Sequence, residues 1–311
     1  MKPTRDGFGE GLLELGKTNP NVVALSGELE DSARAYWFKK EYPNRFFSVG
    51  IAEQDMIGTA AGLAMAGKIP FACSFAQFVT GKTLEQLRMA VCYQKLNVKV
   101  VGSHGGLSVG ADGATAEALE EFTHMRSLPH MAVVCPCDAV EAKKAAISAA
   151  SYAGPVFLRL GRAPAPILTK ESDPYTIGKA QVMRPGKDVT IVGCGLMVAH
   201  ALQAADILAK EKIDARVINL HTIKPIDEAV LVAAACETGA IVTAEEHTVL
   251  GGLGGAVAEV IVQNRPVPMR FVGIHDRFGT SGDPAVLLQH FKLMPDDITA
   301  AVRDVLKSKR R

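Results

Sequence analysis

Short unbroken runs of β-branched and other apolar residues, separated by Ala-rich stretches of helical length, constrain this chain more than any other feature. Residues 22–26, 69–73, 98–102, 131–135 and 156–160 read as strands. Residues 54–66, 83–94, 116–126 and 139–151 read as helices; in the second of these Leu84, Leu87 and Val91 recur at spacings of three and four. Strands without polar alternation are covered on both faces, and helices between them supply the crossovers of a parallel sheet.

The alternation breaks over 161–187, where Pro164, Pro166, Pro174 and Pro185 suit an irregular connector better than a hydrogen-bonded ladder. It resumes with strands at 189–192, 215–219, 240–243 and 269–272 and helices at 198–211, 226–236, 254–263, 285–291 and 296–309. The expected architecture is α/β in two domains, residues 1–165 and 187–311, joined by a linker at 166–186. A chain of 311 residues with 48% hydrophobic residues can fill two such cores and is not a disordered one.

Charge and composition exclude several functions. Thirty-four basic residues against thirty-three acidic ones leave nothing to displace counterions from a nucleic acid. The apolar stretches are interrupted too early to cross a bilayer, and no apolar run follows Met-Lys-Pro-Thr-Arg-Asp, so neither a membrane span nor a signal peptide is expected. The six cysteines are widely spaced apart from Cys135-Pro-Cys137, whose side chains point apart in an extended segment. They read as buried free thiols in a reducing, cytoplasmic compartment. The basic tail Lys-Ser-Lys-Arg-Arg reads as a complement to a helix C-terminus or as solvated chain.

Three segments past successive strands could carry chemistry. Phe46 to Asp55 puts Glu53 at the start of a helix of small residues, where an anion is favoured and the backbone can approach a ligand. Phe75 and Phe78, three apart beyond a strand, can wall a flat ring. The glycine-rich run from Gly102 to Gly113 carries His104 and Asp112, groups suited to substrate oxygens. Ligands of open α/β sheets gather beyond strand C-termini, so the three segments are expected to meet at one sheet edge. Gly251-Gly252-Leu253-Gly254-Gly255 looks like a phosphate loop without the right preceding strand and reads as a structural turn or interface.

These residues resemble the C-terminal half of transketolase. The likeness rests on Val49-Gly50-Ile51-Ala52-Glu53-Gln54, on Ser74-Phe75 with Phe78, and on Ser103-His104-Gly105-Gly106-Leu107 with Gly110-Ala111-Asp112-Gly113. It continues in Asn219-Leu220-His221-Thr222-Ile223-Lys224-Pro225 and in Asp276-Arg277-Phe278-Gly279-Thr280-Ser281-Gly282, covering nearly the whole chain in family order. The resemblance implies a thiamine diphosphate-binding pyrimidine domain followed by a transketolase C-terminal domain. A preceding diphosphate-binding domain, with its Gly-Asp-Gly signature and downstream Asn, is not found here. The implied enzyme is therefore split: an N-terminal subunit holds the diphosphate and Mg2+ or another divalent cation, no metal ligand comes from this chain, and the assembly is an α2β2 heterotetramer. Its reaction would move a two-carbon ketol group from a ketose phosphate to an aldose.

By the same resemblance Glu53 bonds the pyrimidine ring nitrogen, Phe75 and Phe78 line the pyrimidine pocket with Ile51, and Glu28 stands where the family has an aspartate near the cofactor. Arg5, Ser32 and Arg162 match positions that hold the sugar phosphate. His104 and Asp112 match residues that recognise substrate hydroxyls, with His104 also a candidate for proton transfer. Two further departures stand out. Gly81 replaces a third aromatic, and Ala116 replaces a His or Gln, which points to an atypical sugar. His221 reads as a core or interface histidine. The competing readings are the β subunit of a 2-oxoacid dehydrogenase and a noncatalytic regulatory or scaffold subunit that keeps the fold.

Overall fold

The computed structural model of the chain describes residues 1–309. The strands in chain order are β1 (Val22–Ser26), β2 (Phe46–Ser48), β3 (Ile69–Phe75), β4 (Lys99–Ser103), β5 (Ala132–Val134), β6 (Val156–Arg159), β7 (Gln181–Arg184), β8 (Val189–Gly193), β9 (Ala215–Asn219), β10 (Thr222–Lys224), β11 (Ile241–Thr248) and β12 (Met269–Ile274). They form a seven-stranded sheet, β10-β5-β6-β4-β3-β1-β2, and a five-stranded sheet, β12-β11-β8-β9-β7. Every pairing is parallel except those of β10 with β5 and β7 with β9. The buried β1, β4, β5 and β6 are the β-branched runs of the first half, flanked by helices as expected.

Four features depart from the sequence reading. A helix at Thr4–Thr18 was not expected, because Gly7, Gly9, Gly11 and Gly16 depress helix propensity. The glycines permit close packing: a Cβ on Gly7 would lie 1.8 Å from the Ala139 carbonyl oxygen, and one on Gly11 2.8 Å from that of Lys143. Phe8, Leu12 and Leu15 give this helix its buried face. Second, residues 116–120 are not helical. The Gly106 amide donates to the Ala118 carbonyl at 2.9 Å, so this segment pairs with the loop after β4, and the helix is Glu121–Ser127.

Third, the segment read as an irregular linker contributes β7, which lies on an outer edge of the second sheet, where its flanking prolines interrupt no central ladder. Its start is tied down by Asp138, which accepts from the Leu168 and Thr169 amides at 2.6 Å each while capping the helix Ala139–Ser151 through the Glu141 amide at 2.8 Å. Fourth, β10 follows the second domain's β9 but completes the first domain's sheet. Beside it His221 is buried, stacked on Tyr175 at 4.4 Å and in contact with Thr222 Oγ1 at 2.9 Å, as a seam residue. Burial depresses its imidazole to about 4.

The glycine run at 251–255 does follow a strand, β11, and opens the helix Leu253–Asn264, contrary to the sequence reading of its context. Its amide nest is already filled: Glu245 accepts from Leu253 N at 2.6 Å and Gly254 N at 2.8 Å. Cys73, Cys92, Cys135, Cys137 and Cys194 are buried thiols; Cys236, on the helix Glu228–Thr238, is exposed. In the basic tail Lys309 donates to the Thr238 carbonyl at 2.6 Å, the C-terminus of that helix, while Arg310 and Arg311 lie outside the described residues. Among the described residues no helix is long and apolar enough to cross a membrane.

Candidate active site

The strand order β4-β3-β1-β2 brings the C-terminal ends of four parallel strands side by side. Glu53 enters after β2 as the first residue of the helix Glu53–Met65, where unpaired amides favour its charge. It is 4% exposed. Its Oε1 accepts from Ser74 Oγ at 3.3 Å, and its Oε2 lies 3.5 Å from Lys82 Nζ. Gly27, just past β1, lets the backbone close on this carboxylate: a Cβ there would meet the Gly50 carbonyl at 3.3 Å and Glu53 Cγ at 3.9 Å.

Beside it three rings form a stack. Phe75, at the end of β3, faces Phe78 at 5.5 Å on one side and His104 at 4.0 Å on the other. His104 leaves β4 in a left-handed conformation (φ 59°), and its Nδ1 contacts Ser103 Oγ at 3.0 Å. Burial first, and then the positive charges of Arg5, Arg162 and Arg34, push its imidazole down to about 3. It is a neutral ring at physiological pH.

Three arginines gather near His104. Arg5 Nη1 donates to the Ser32 carbonyl at 3.0 Å, while its Nε is buried without a partner. Arg162 donates to the Val109 carbonyl and lies 3.8 Å from Asp112. Both arginines line a cleft of about 820 Å3 between the domains, which Leu196, His200 and Leu288 close from the second domain. Arg34 is held by Asp6 at 2.7 Å. Two of the expected residues are exposed: Glu28, which accepts from Ser48 Oγ at 3.1 Å, and Ile51, which is 79% exposed.

The sequence reading missed Lys82 and Arg34. Lys82 was legible in principle, because it follows Phe78 by four residues, a spacing that puts two side chains on one helical face. Its ammonium lies 4.4 Å from the Phe78 ring centre. Arg34 had no such signal, since only the fold of the 26–35 turn brings its charge to His104.

A buried carboxylate beside a stack of flat rings suits an aromatic base that carries an N–H donor, and the Arg5 guanidinium, which has no carboxylate partner, suits a phosphate. Comparisons with known proteins identify the family. Residues 1–166 match the transketolase pyrimidine binding domain and residues 178–298 the transketolase C-terminal domain. The 6-deoxy-6-sulfo-D-fructose transketolase subunit SqwH of Clostridium sp. is 42% identical, over 98% of this chain and 95% of its own length. An apulose-4-phosphate transketolase subunit of Phocaeicola vulgatus is 38% identical over 99% and 98%. Human transketolase is 37% identical over 97% of this chain but only 49% of its own length. A solved structure described as a split gene transketolase, inactive β4 tetramer, superposes with a TM-score of 0.94 at 45% identity, covering 100% of both chains. The chain thus belongs to the thiamine diphosphate-dependent transketolase family, and its two domains are those of the C-terminal subunit of split members.

Proposed function

We propose that this chain forms the pyrimidine side of the active site in a split transketolase, acting only with an N-terminal subunit that holds the diphosphate and its Mg2+, in an α2β2 assembly. The observation that carries the reading is the buried Glu53 carboxylate beside the Phe78–Phe75–His104 stack. Thiamine diphosphate, when bound, supplies the nucleophilic centre that accepts and hands on a two-carbon ketol unit. Glu53 accepts a hydrogen bond from the pyrimidine ring nitrogen and so fixes which tautomer is present. Phe75 and Phe78 orient the ring. Arg5 and Arg162, with Ser32, bind the phosphate of the sugar. His104, neutral, can donate or accept at a substrate hydroxyl, and Asp112 accepts from another. Ala116, which offers no polar contact, and the sulfo-sugar and apulose phosphate named in two relatives support a sugar outside the common pentose phosphates. The inactive β4 form named for a similar chain supports the need for a partner.

The test is purification together with the partner, followed by transfer assays across phosphorylated sugars with cofactor and Mg2+ varied separately. Ketose-dependent aldose formation without a lipoyl acceptor is the expected result. In the same complex Glu53→Gln should lower turnover at least ~100-fold, the scale of lost acid–base catalysis, with little change in melting temperature. Near-normal turnover would refute the assignment.

A further inference from the structure

Lys82 contacts two of the groups assigned above to the cofactor ring. Its ammonium faces the Glu53 carboxylate at 3.5 Å and the Phe78 ring at 4.4 Å, so one group engages both the anion and the aromatic wall that a flat N–H donor would use. The backbone of Lys82 is anchored, because Gln54 Nε2 donates to its carbonyl at 2.9 Å. The side chain is 53% exposed. A buried carboxylate left without a cationic partner is costly, and a half-exposed lysine is a cheap one that can be withdrawn.

We propose that Lys82 is a positioning residue, a displaceable cation that holds Glu53 and the Phe78 face until the cofactor ring enters and then yields them. The inference rests on Glu53 and Phe78 forming the pyrimidine seat. It makes cofactor binding a competition: the incoming ring must displace an existing ion pair and a cation–π contact, each individually weak. Removing the ammonium therefore tightens binding instead of weakening it.

The experiment is titration calorimetry of thiamine diphosphate, at fixed Mg2+, into the complex of the full chain with its diphosphate-binding partner. Lys82→Met should lower the dissociation constant about three- to tenfold, the sum of two weak contacts, and Lys82→Arg should leave it near the wild-type value. Glu53→Gln, measured alongside, should raise it. If Glu53→Gln weakens binding and Lys82→Met leaves it unchanged or weakens it too, Lys82 is a bystander or a ligand and the inference falls while the site stands. If Glu53→Gln has no effect, the site assignment fails and the inference with it.

Discussion

His104 gives the sharpest quantitative test of the site's electrostatics. Its folded imidazole lies near 3, against 6.5 for an unperturbed ring, because it is buried and faces Arg5, Arg162 and Arg34. The folded state thus binds fewer protons than the unfolded one throughout the interval between those values. The stability tied to His104 is complete above about pH 6.5 and is lost as the pH falls below it, by ~1.4 kcal/mol per pH unit. At about pH 5 the loss is roughly 2 kcal/mol. His247 and His221 lose stability in the same direction, while Glu121, pushed up to about 7, and Glu245, pushed up to about 8, both mainly by burial, act in the opposite one. The raw pH profile of the protein therefore mixes several groups, and a difference between variants isolates one. His104→Asn removes only the His104 contribution. The stability gap between wild type and this variant, measured by denaturant unfolding, should shift by about 2 kcal/mol in favour of the variant between about pH 7.5 and pH 5. Excess inorganic phosphate, by neutralising the arginines, should shrink that shift. Parallel pH profiles with and without His104 would show that the ring protonates normally in the folded protein and would refute its being held neutral by burial and the neighbouring arginines.

Other consequences can be checked in the same preparations. Arg5→Ala and Arg162→Ala, assayed in the assembled enzyme, should each raise KM for a phosphorylated sugar by about 10- to 100-fold, the worth of a charge-assisted contact, and leave KM for the unphosphorylated analogue nearly unchanged. Equal effects on both sugars would refute a phosphate role. Arg159 is buried at the domain seam, 2.9 Å from Glu121, and donates to the Glu246 carbonyl at 2.9 Å. Arg159→Met should cost ~3–5 kcal/mol in unfolding experiments by stranding Glu121, and adding Glu121→Gln should recover part of it. Gly7→Ala drives a methyl into the Ala139 carbonyl and should cost ~3 kcal/mol, the upper end of overpacking penalties; an unchanged denaturation midpoint would contradict the close helix contact.

The sequence exposed most strongly what depends on local pattern. The β-branched runs at β1, β4 and β6 could be read directly, because a strand covered on both faces has no polar positions to confuse the pattern. The convergence of Glu53, Phe75 and His104 was also legible, since parallel connections send every strand's C-terminal end to the same edge. Context decided the rest. The helix Thr4–Thr18 hides behind glycines whose purpose is visible only once Ala139–Ser151 lies against them. Residues 116–120 carry a helical composition, yet their backbone groups find partners beside Gly105 and Gly106. No local rule predicts that three residues of the second half, at β10, complete the sheet of the first.

That last strand also bears on dissection of the molecule. A protease nick or a gene truncation in the segment before β7 would free a first half that carries the whole ring stack but has lost the neighbour of β5. The newly bared amides and carbonyls of Ala132–Val134 would be open to any passing strand, a second copy included. The half that looks self-sufficient from its pocket is thus the one prone to sticking to itself, and the residues that keep it apart are Thr222, Ile223 and Lys224.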